Sequence, residues 1–145
     1  MSTAENKAIF RRFVDEVMNQ GKISTIDELF APDFVGHVQL PPAPAMNREG
    51  VKLLFSMYQS AFSGFQATIE DLIAEGDKVV GLLTVRGTHT GNFVGIPPTG
   101  KRVTFQTMDI FRTVGDKIVE HWAMPDQFSL RQQLGVIPSP GQSGS

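Results

Sequence analysis

The chain has 145 residues, 41% of them hydrophobic, which suffices for one domain with a continuous core and is too short for two ordinary ones. Basic and acidic residues are interspersed and leave a net charge of -2, which offers no electrostatic footprint for nucleic acid or for an anionic membrane surface. The absence of cysteine excludes a disulfide scaffold, a thiolate nucleophile and thiolate metal ligands.

The opening MSTAENKAIFRRF has no apolar stretch of the signal-peptide kind, and no apolar run approaches the roughly 20 residues that span a bilayer, so a cytoplasmic protein is expected. Ser2 or Thr3 can cap a first helix with Ile9, Phe10, Phe13, Val14 and Val17 on one stripe, stopped by Gly21. Ser24 or Thr25 opens a short second helix through Ile26, Leu29 and Phe30. Pro32 is expected to end it before an extended segment from Phe34 to Leu40, and Pro41, Pro42 and Pro44 mark a loop. Asn47 opens a third helix on which Val51, Leu54, Phe55, Tyr58 and Phe62 follow the 3.6-residue period, with Ser63-Gly64 as its stop.

From Phe65 the hydrophobic period changes to two. Strands are predicted at 65–74, 77–90, 101–114 and 116–124, with tight turns at Glu75-Gly76-Asp77 and Val114-Gly115-Asp116. A short helix over Gln127 to Leu134 follows, and the domain is expected to fill residues 1–138, leaving 139–145 as a flexible tail. Helices followed by a long meander predict an α+β fold in which a curved antiparallel sheet wraps around three N-terminal helices and encloses a cavity. With eleven Phe against one Trp and one Tyr, the wall of that cavity is expected to be apolar.

The second half carries Gly87-Thr88-His89 with Gly91, the turn Pro97-Pro98-Thr99-Gly100, and the runs Asp109-Ile110-Phe111-Arg112 and Lys117-Ile118-Val119-Glu120-His121-Trp122. These are followed by Asp126 and Gln133-Leu134-Gly135. Together the segments resemble the SnoaL-like polyketide (ester) cyclases of the NTF2-like superfamily, and the early helices agree in order and spacing. The resemblance implies a cone with a deep hydrophobic pocket, a homodimer or homotetramer, and neither metal nor organic cofactor. It also implies ring closure by an intramolecular aldol reaction in which an acidic side chain moves a proton next to a carbonyl. In the anthracycline cyclases the acid/base aspartate falls at the position of Ala123, and a histidine on the preceding strand falls at Asp109. A carboxylate has therefore been lost at one position and gained on the neighbouring strand.

Asp109 is the leading candidate for a general base. Alternation along Val103, Phe105, Thr107, Asp109 and Phe111 places it among mostly apolar side chains on one sheet face. Pairing across the Val114-Gly115-Asp116 turn brings His121 within a few residues of it in register, where the two would form a proton-moving dyad; the alternatives are an ion pair of Asp109 with Arg86 or Arg112 and a structural His121. His89, beside the Gly91-Asn92 turn, is expected at the pocket mouth as a second proton partner or as an organiser of the turn. Candidate substrate contacts are Met18, Phe55, Phe105, Arg86 and Tyr58, whose phenol would hold a carbonyl. His37 joins them because family members direct a polar side chain inward there. Asp126 either faces the ligand or caps the last helix. Trp122, of opposite parity to His121, is expected outside the cone or at a subunit interface.

No HxH, HxxxH or HxxE spacing suggests a metal site, and neither a phosphate loop nor a GxSxG elbow is present. The function these features predict is cofactor-free proton transfer on a hydrophobic polyketide-like carbonyl compound, by cyclisation or isomerisation. Two alternatives are a non-catalytic protein that binds a hydrophobic small molecule, and an epoxide hydrolase that would need two carboxylates and an arginine.

Overall fold

A computed structural model describes residues 2–38 and 46–137. Helix α1 (Thr3–Arg12) begins with a capping box: the Ser2 hydroxyl accepts from the Glu5 amide at 3.1 Å, and the Glu5 carboxylate accepts from the Ser2 amide at 3.2 Å. The helix does not run uniformly to Gly21 as its pattern suggests. Its second half, Phe13–Asn19, is π-helical, and it buries Phe13, Val14, Val17 and Met18. At its end the Asn19 side chain clasps the backbone of Ala67, donating to the carbonyl at 3.0 Å and accepting from the amide at 2.7 Å.

Helix α2 (Thr25–Leu29) leads directly into strand β1 (Phe30–Val38). Pro32 therefore lies inside a strand instead of ending a helix. This is tolerated because β1 is an edge strand, where a missing N–H breaks no ladder. Gln39, Leu40 and the expected loop at Pro41, Pro42 and Pro44 lie outside the described residues, as does the tail 139–145.

Helix α3 (Arg48–Ala61) is capped by Asn47, whose side chain accepts from the Gly50 amide at 2.8 Å. Strand β2 (Phe62–Glu75) starts at once. Ser63-Gly64 is thus not a helix stop but a bulge within the strand, with Gly64 at a φ of +64° and a shift of register before Gln66.

Strands β3 (Lys78–His89), β4 (Arg102–Val114) and β5 (Lys117–Pro125) continue the meander. Helix α4 (Gln127–Leu134) closes the described fold, with Asp126 as its N-cap. The strand order is β1-β5-β4-β3-β2. The meander is antiparallel, whereas β1 joins β5 in parallel, so the sheet is mixed and not wholly antiparallel as expected.

Alternation along β4 is complete, with Val103, Phe105, Thr107, Asp109, Phe111 and Thr113 buried under the helices. Phe10, Phe13, Phe30, Phe34 and Phe111 form one aromatic cluster with ring centroids 4.7 to 6.0 Å apart. Burial of each such ring contributes about 1.5–3 kcal/mol. Two glycines let a neighbour approach the backbone closely. A Cβ on Gly91 would stand 2.2 Å from the Ser60 carbonyl oxygen, so only glycine allows the β3–β4 connection to seat against the end of α3. A Cβ on Gly81 would stand 2.3 Å from the ring of Phe10, which packs over that strand. Among the described residues, no helix is long and apolar enough to cross a membrane.

Candidate active site

Between the helices and the inner face of β3 to β5 lies a cavity. Its free volume is about 40 Å³, or about 400 Å³ of unfilled space when the mouth is included. Met18, Leu54, Phe55, Phe65, Val85 and Phe105 give it apolar walls, and Ala123 and Pro125 complete them. Four polar side chains interrupt this surface: Tyr58, Thr107, Asp109 and His121.

The sheet register explains why they converge. Asp109 lies opposite Ala123 on β5 and opposite Gly81 on β3, while His121 lies opposite Phe111. Both neighbours of Asp109 are small. Phe10 fills the space over Gly81, and the cavity occupies the space over Ala123. His121 reaches diagonally across the ladder, and its Nε2 stands 2.8 Å from Asp109 Oδ2. The other carboxylate oxygen, Oδ1, accepts a 2.7 Å hydrogen bond from the Thr107 hydroxyl. The Asp109 and His121 side chains are 6% and 2% exposed, which places the pair in a low-dielectric interior. Phe111 packs edge-on against the imidazole at 4.6 Å between centroids, with Phe13 on a further side. His121 Nδ1 is buried and has no partner among the described residues.

Tyr58 projects from α3 amid the rings of Phe55, Phe62, Phe65 and Phe93. Burial pushes its phenol up to about 12, and the nearby Asp109 charge adds to the rise. The Gln127 amide opposes it, although neither polar atom of that amide completes a hydrogen bond. At neutral pH the phenol is thus a donor.

Met18, Phe55, Phe105 and Tyr58 accordingly meet Asp109 and His121 in one cavity, whereas four other candidates do not. His37 lies on the opposite sheet face, where its ring stacks on Trp122 at 5.2 Å and its Nε2 stands 3.1 Å from Glu120. Its parallel pairing places it beside Trp122, which is of outward parity. Arg86 is exposed on that same outer face of β3, and Arg112 pairs there with Glu120 at 2.7 Å, so neither arginine reaches Asp109. His89 does face inward, but it stands eight residues along β3 from Gly81, the register partner of Asp109. At about 3.3 Å per residue that is roughly 26 Å, too far for a proton partner. Its Nδ1 accepts from the Thr99 amide at 3.2 Å and lies 2.9 Å from the Thr99 hydroxyl, so it organises the β3–β4 connection. Asp126 is exposed, and its carboxylate accepts from the Ser129 amide at 3.0 Å as a helix cap.

Thr107 and Gln127 were not singled out by sequence. The signal for Thr107 was present: it lies two residues before Asp109 and shares its face. Among the described residues, no three His, Asp or Glu side chains converge so as to hold a metal ion.

The chain is 30% identical over 128 residues to nogalonic acid methyl ester cyclase of Streptomyces nogalater, which covers 87% of this chain and 94% of that protein. It is 31% identical over 139 residues to the aklanonic acid methyl ester cyclase DnrD of Streptomyces peucetius, covering 94% of each. Among solved structures, AclR of Streptomyces galilaeus, for which a hydroxylase activity has been suggested, superposes with a TM-score of 0.85 at 31% identity, covering 95% of this chain and 89% of AclR. IdmH of Streptomyces antibioticus, suggested to be a polyketide cyclase, superposes with a TM-score of 0.77 at 33% identity, covering 89% of this chain and 97% of IdmH. The family model for SnoaL-like polyketide cyclases matches residues 8–134, and the chain belongs to that family.

Proposed function

We propose that the protein is a cyclase or isomerase that moves a proton on a hydrophobic, polyketide-like carbonyl compound held in the cavity. The observation that carries this reading is the buried Asp109–His121 contact, 2.8 Å long, on the wall of an otherwise apolar pocket. A desolvated acid/base pair beside a neutral phenol fits enolisation. The pair takes the proton next to a carbonyl while Tyr58 donates a hydrogen bond to the developing enolate oxygen. The enolate carbon then forms a bond to a second carbonyl of the same molecule, and the proton returns to the new alkoxide.

The missing aspartate at the family's acid/base position is consistent with this reading. Ala123 is the direct register partner of Asp109, so a carboxylate at either position borders the same patch of wall. Epoxide hydrolysis is less well supported, because the cavity lining holds one carboxylate and no arginine among the described residues. The relatives named as methyl ester cyclases make polyketide-like methyl esters the first substrates to try.

The test is turnover of a panel of polyketide-like methyl esters and epoxides by wild type and by Asp109→Asn. Ring closure of an ester, slowed about 10²–10⁴-fold by the substitution, is the expected result. Ester turnover indifferent to Asp109→Asn would sink the assignment. Binding without turnover would favour a carrier protein instead.

A further inference from the structure

We infer that the atom accepting the substrate proton is Nδ1 of His121, and that Asp109 and Thr107 are positioning residues that act through the imidazole. This rests on the reading of the cavity as a site of proton transfer and assigns its base.

Hydrogen-bonding capacity divides the three side chains into different roles. Asp109 is engaged at both oxygens, with Thr107 Oγ1 donating to Oδ1 at 2.7 Å and His121 Nε2 at 2.8 Å from Oδ2. A hydroxyl hydrogen fixed on one oxygen and an imidazole on the other hold the carboxylate plane. An ionised Asp109 accepts from Nε2–H, and this selects the tautomer whose Nδ1 carries a lone pair. That Nδ1 is buried, has no partner among the described residues, and belongs to a side chain lining the cavity. Burying such an acceptor with no donor against it is unfavourable. A ligand C–H or O–H acid directed at Nδ1 would relieve that cost.

Among the described residues, Nδ1 has no competitor. From β4 the titratable group facing His121 is Asp109, and from α3 it is Tyr58, neutral through burial. The π-helical segment presents Phe13, and the register partner on β1 is Gly36. Glu120 and Arg112 pair with each other on the far face of the sheet. When Nδ1 takes the proton, the imidazolium lies between the Asp109 carboxylate and the enolate, and the same proton is then delivered to the alkoxide. No protein group outside the pair gains or loses charge over the cycle.

The tautomer can be read without substrate. In ¹⁵N-labelled protein at pH 8, with the His121 signal assigned by comparison with His37→Gln and His121→Gln, the expected spectrum shows a proton on Nε2 and a bare Nδ1. Asp109→Asn should reverse this, because the carboxamide it introduces would donate to Nε2. Finding Nδ1 protonated in the wild type, in the neutral or the doubly protonated ring, overturns the assignment whether or not any ester is turned over. With a methyl ester that the enzyme cyclises, the acidic limb of kcat/KM should follow the imidazole titration seen in the same spectra; a limb in the carboxylate range instead makes Asp109 the base. Thr107→Val should lower kcat roughly tenfold at unchanged KM, with Thr107→Ser restoring it, as a loosened orientation predicts. A Thr107→Val enzyme with unaltered kcat removes that residue from the scheme.

Discussion

Two histidine–carboxylate pairs flank the same strand. On the inner side of β5, His121 meets Asp109 at 2.8 Å with side chains 2% and 6% exposed; on the outer side, His37 meets Glu120 at 3.1 Å with side chains 40% and 26% exposed. Glu120 and His121 are adjacent in sequence, and the pleat sends them to opposite faces. The residue types are the same in kind, so the difference in what they can do comes from their surroundings. Water screens the outer pair, and Arg112 already satisfies Glu120. The inner pair faces aromatic rings, holds a buried ring nitrogen with no partner among the described residues, and borders the cavity.

The sharpest break of this comparison is to delete one partner from each pair. His121→Leu strands Asp109 as a buried charge and should cost about 3–5 kcal/mol by urea denaturation, while His37→Leu should scarcely move the midpoint. Equal losses would mean that burial does not separate the two pairs.

Tyr58 gives the next effect. Its phenol is pushed up to about 12 from an ordinary value of 10.0, so the folded state holds the proton more tightly than the unfolded one. The contribution is fully present below pH 10 and is lost as the pH rises toward 12, amounting to about 3 kcal/mol. Tyr58→Phe should remove this alkaline slope in stability measured from pH 9 to 12; parallel slopes in the two proteins would contradict it.

Glu120 gives the smallest effect, with the opposite sign. The Arg112 guanidinium, and then His37, hold its carboxyl below the ordinary value of 4.5. Its contribution is present above pH 4.5 and is lost as the pH falls through the lowered value. Glu120→Gln should slightly flatten the acid limb of stability, and a steeper limb would count against the contact.

The inner pair was legible in the sequence because its geometry is local. Strict alternation on β4 fixes the parity of Asp109, and the tight turn at Gly115 brings His121 within a few residues of it; the shift of register between Arg112 and Thr113 that sets the final pairing carries no signal in the sequence. The span Gln127–Leu134 was equally readable from its cap. The outer position of His37 was not, because β1 takes its register from β5, some eighty residues away, and carries an irregularity between Phe30 and Val35. Pro32 misled for a related reason: its meaning depends on whether the strand is at an edge, which one segment does not reveal. The place of His89 beside the Gly91-Asn92 turn points to the pocket mouth or to an organiser of that turn, and a position in sequence does not measure how far along the strand the cavity extends.

The sheet that holds this site is open, and β2 is one of its edges. A bare edge is a template on which another chain can add a strand. The Asn19 side chain occupies both backbone groups of Ala67, giving that rung of β2 the partner an incoming strand would otherwise supply. One carboxamide at the end of the first helix thus plugs the middle of β2, and Asn19→Ala would be felt first as clumping in concentrated solution.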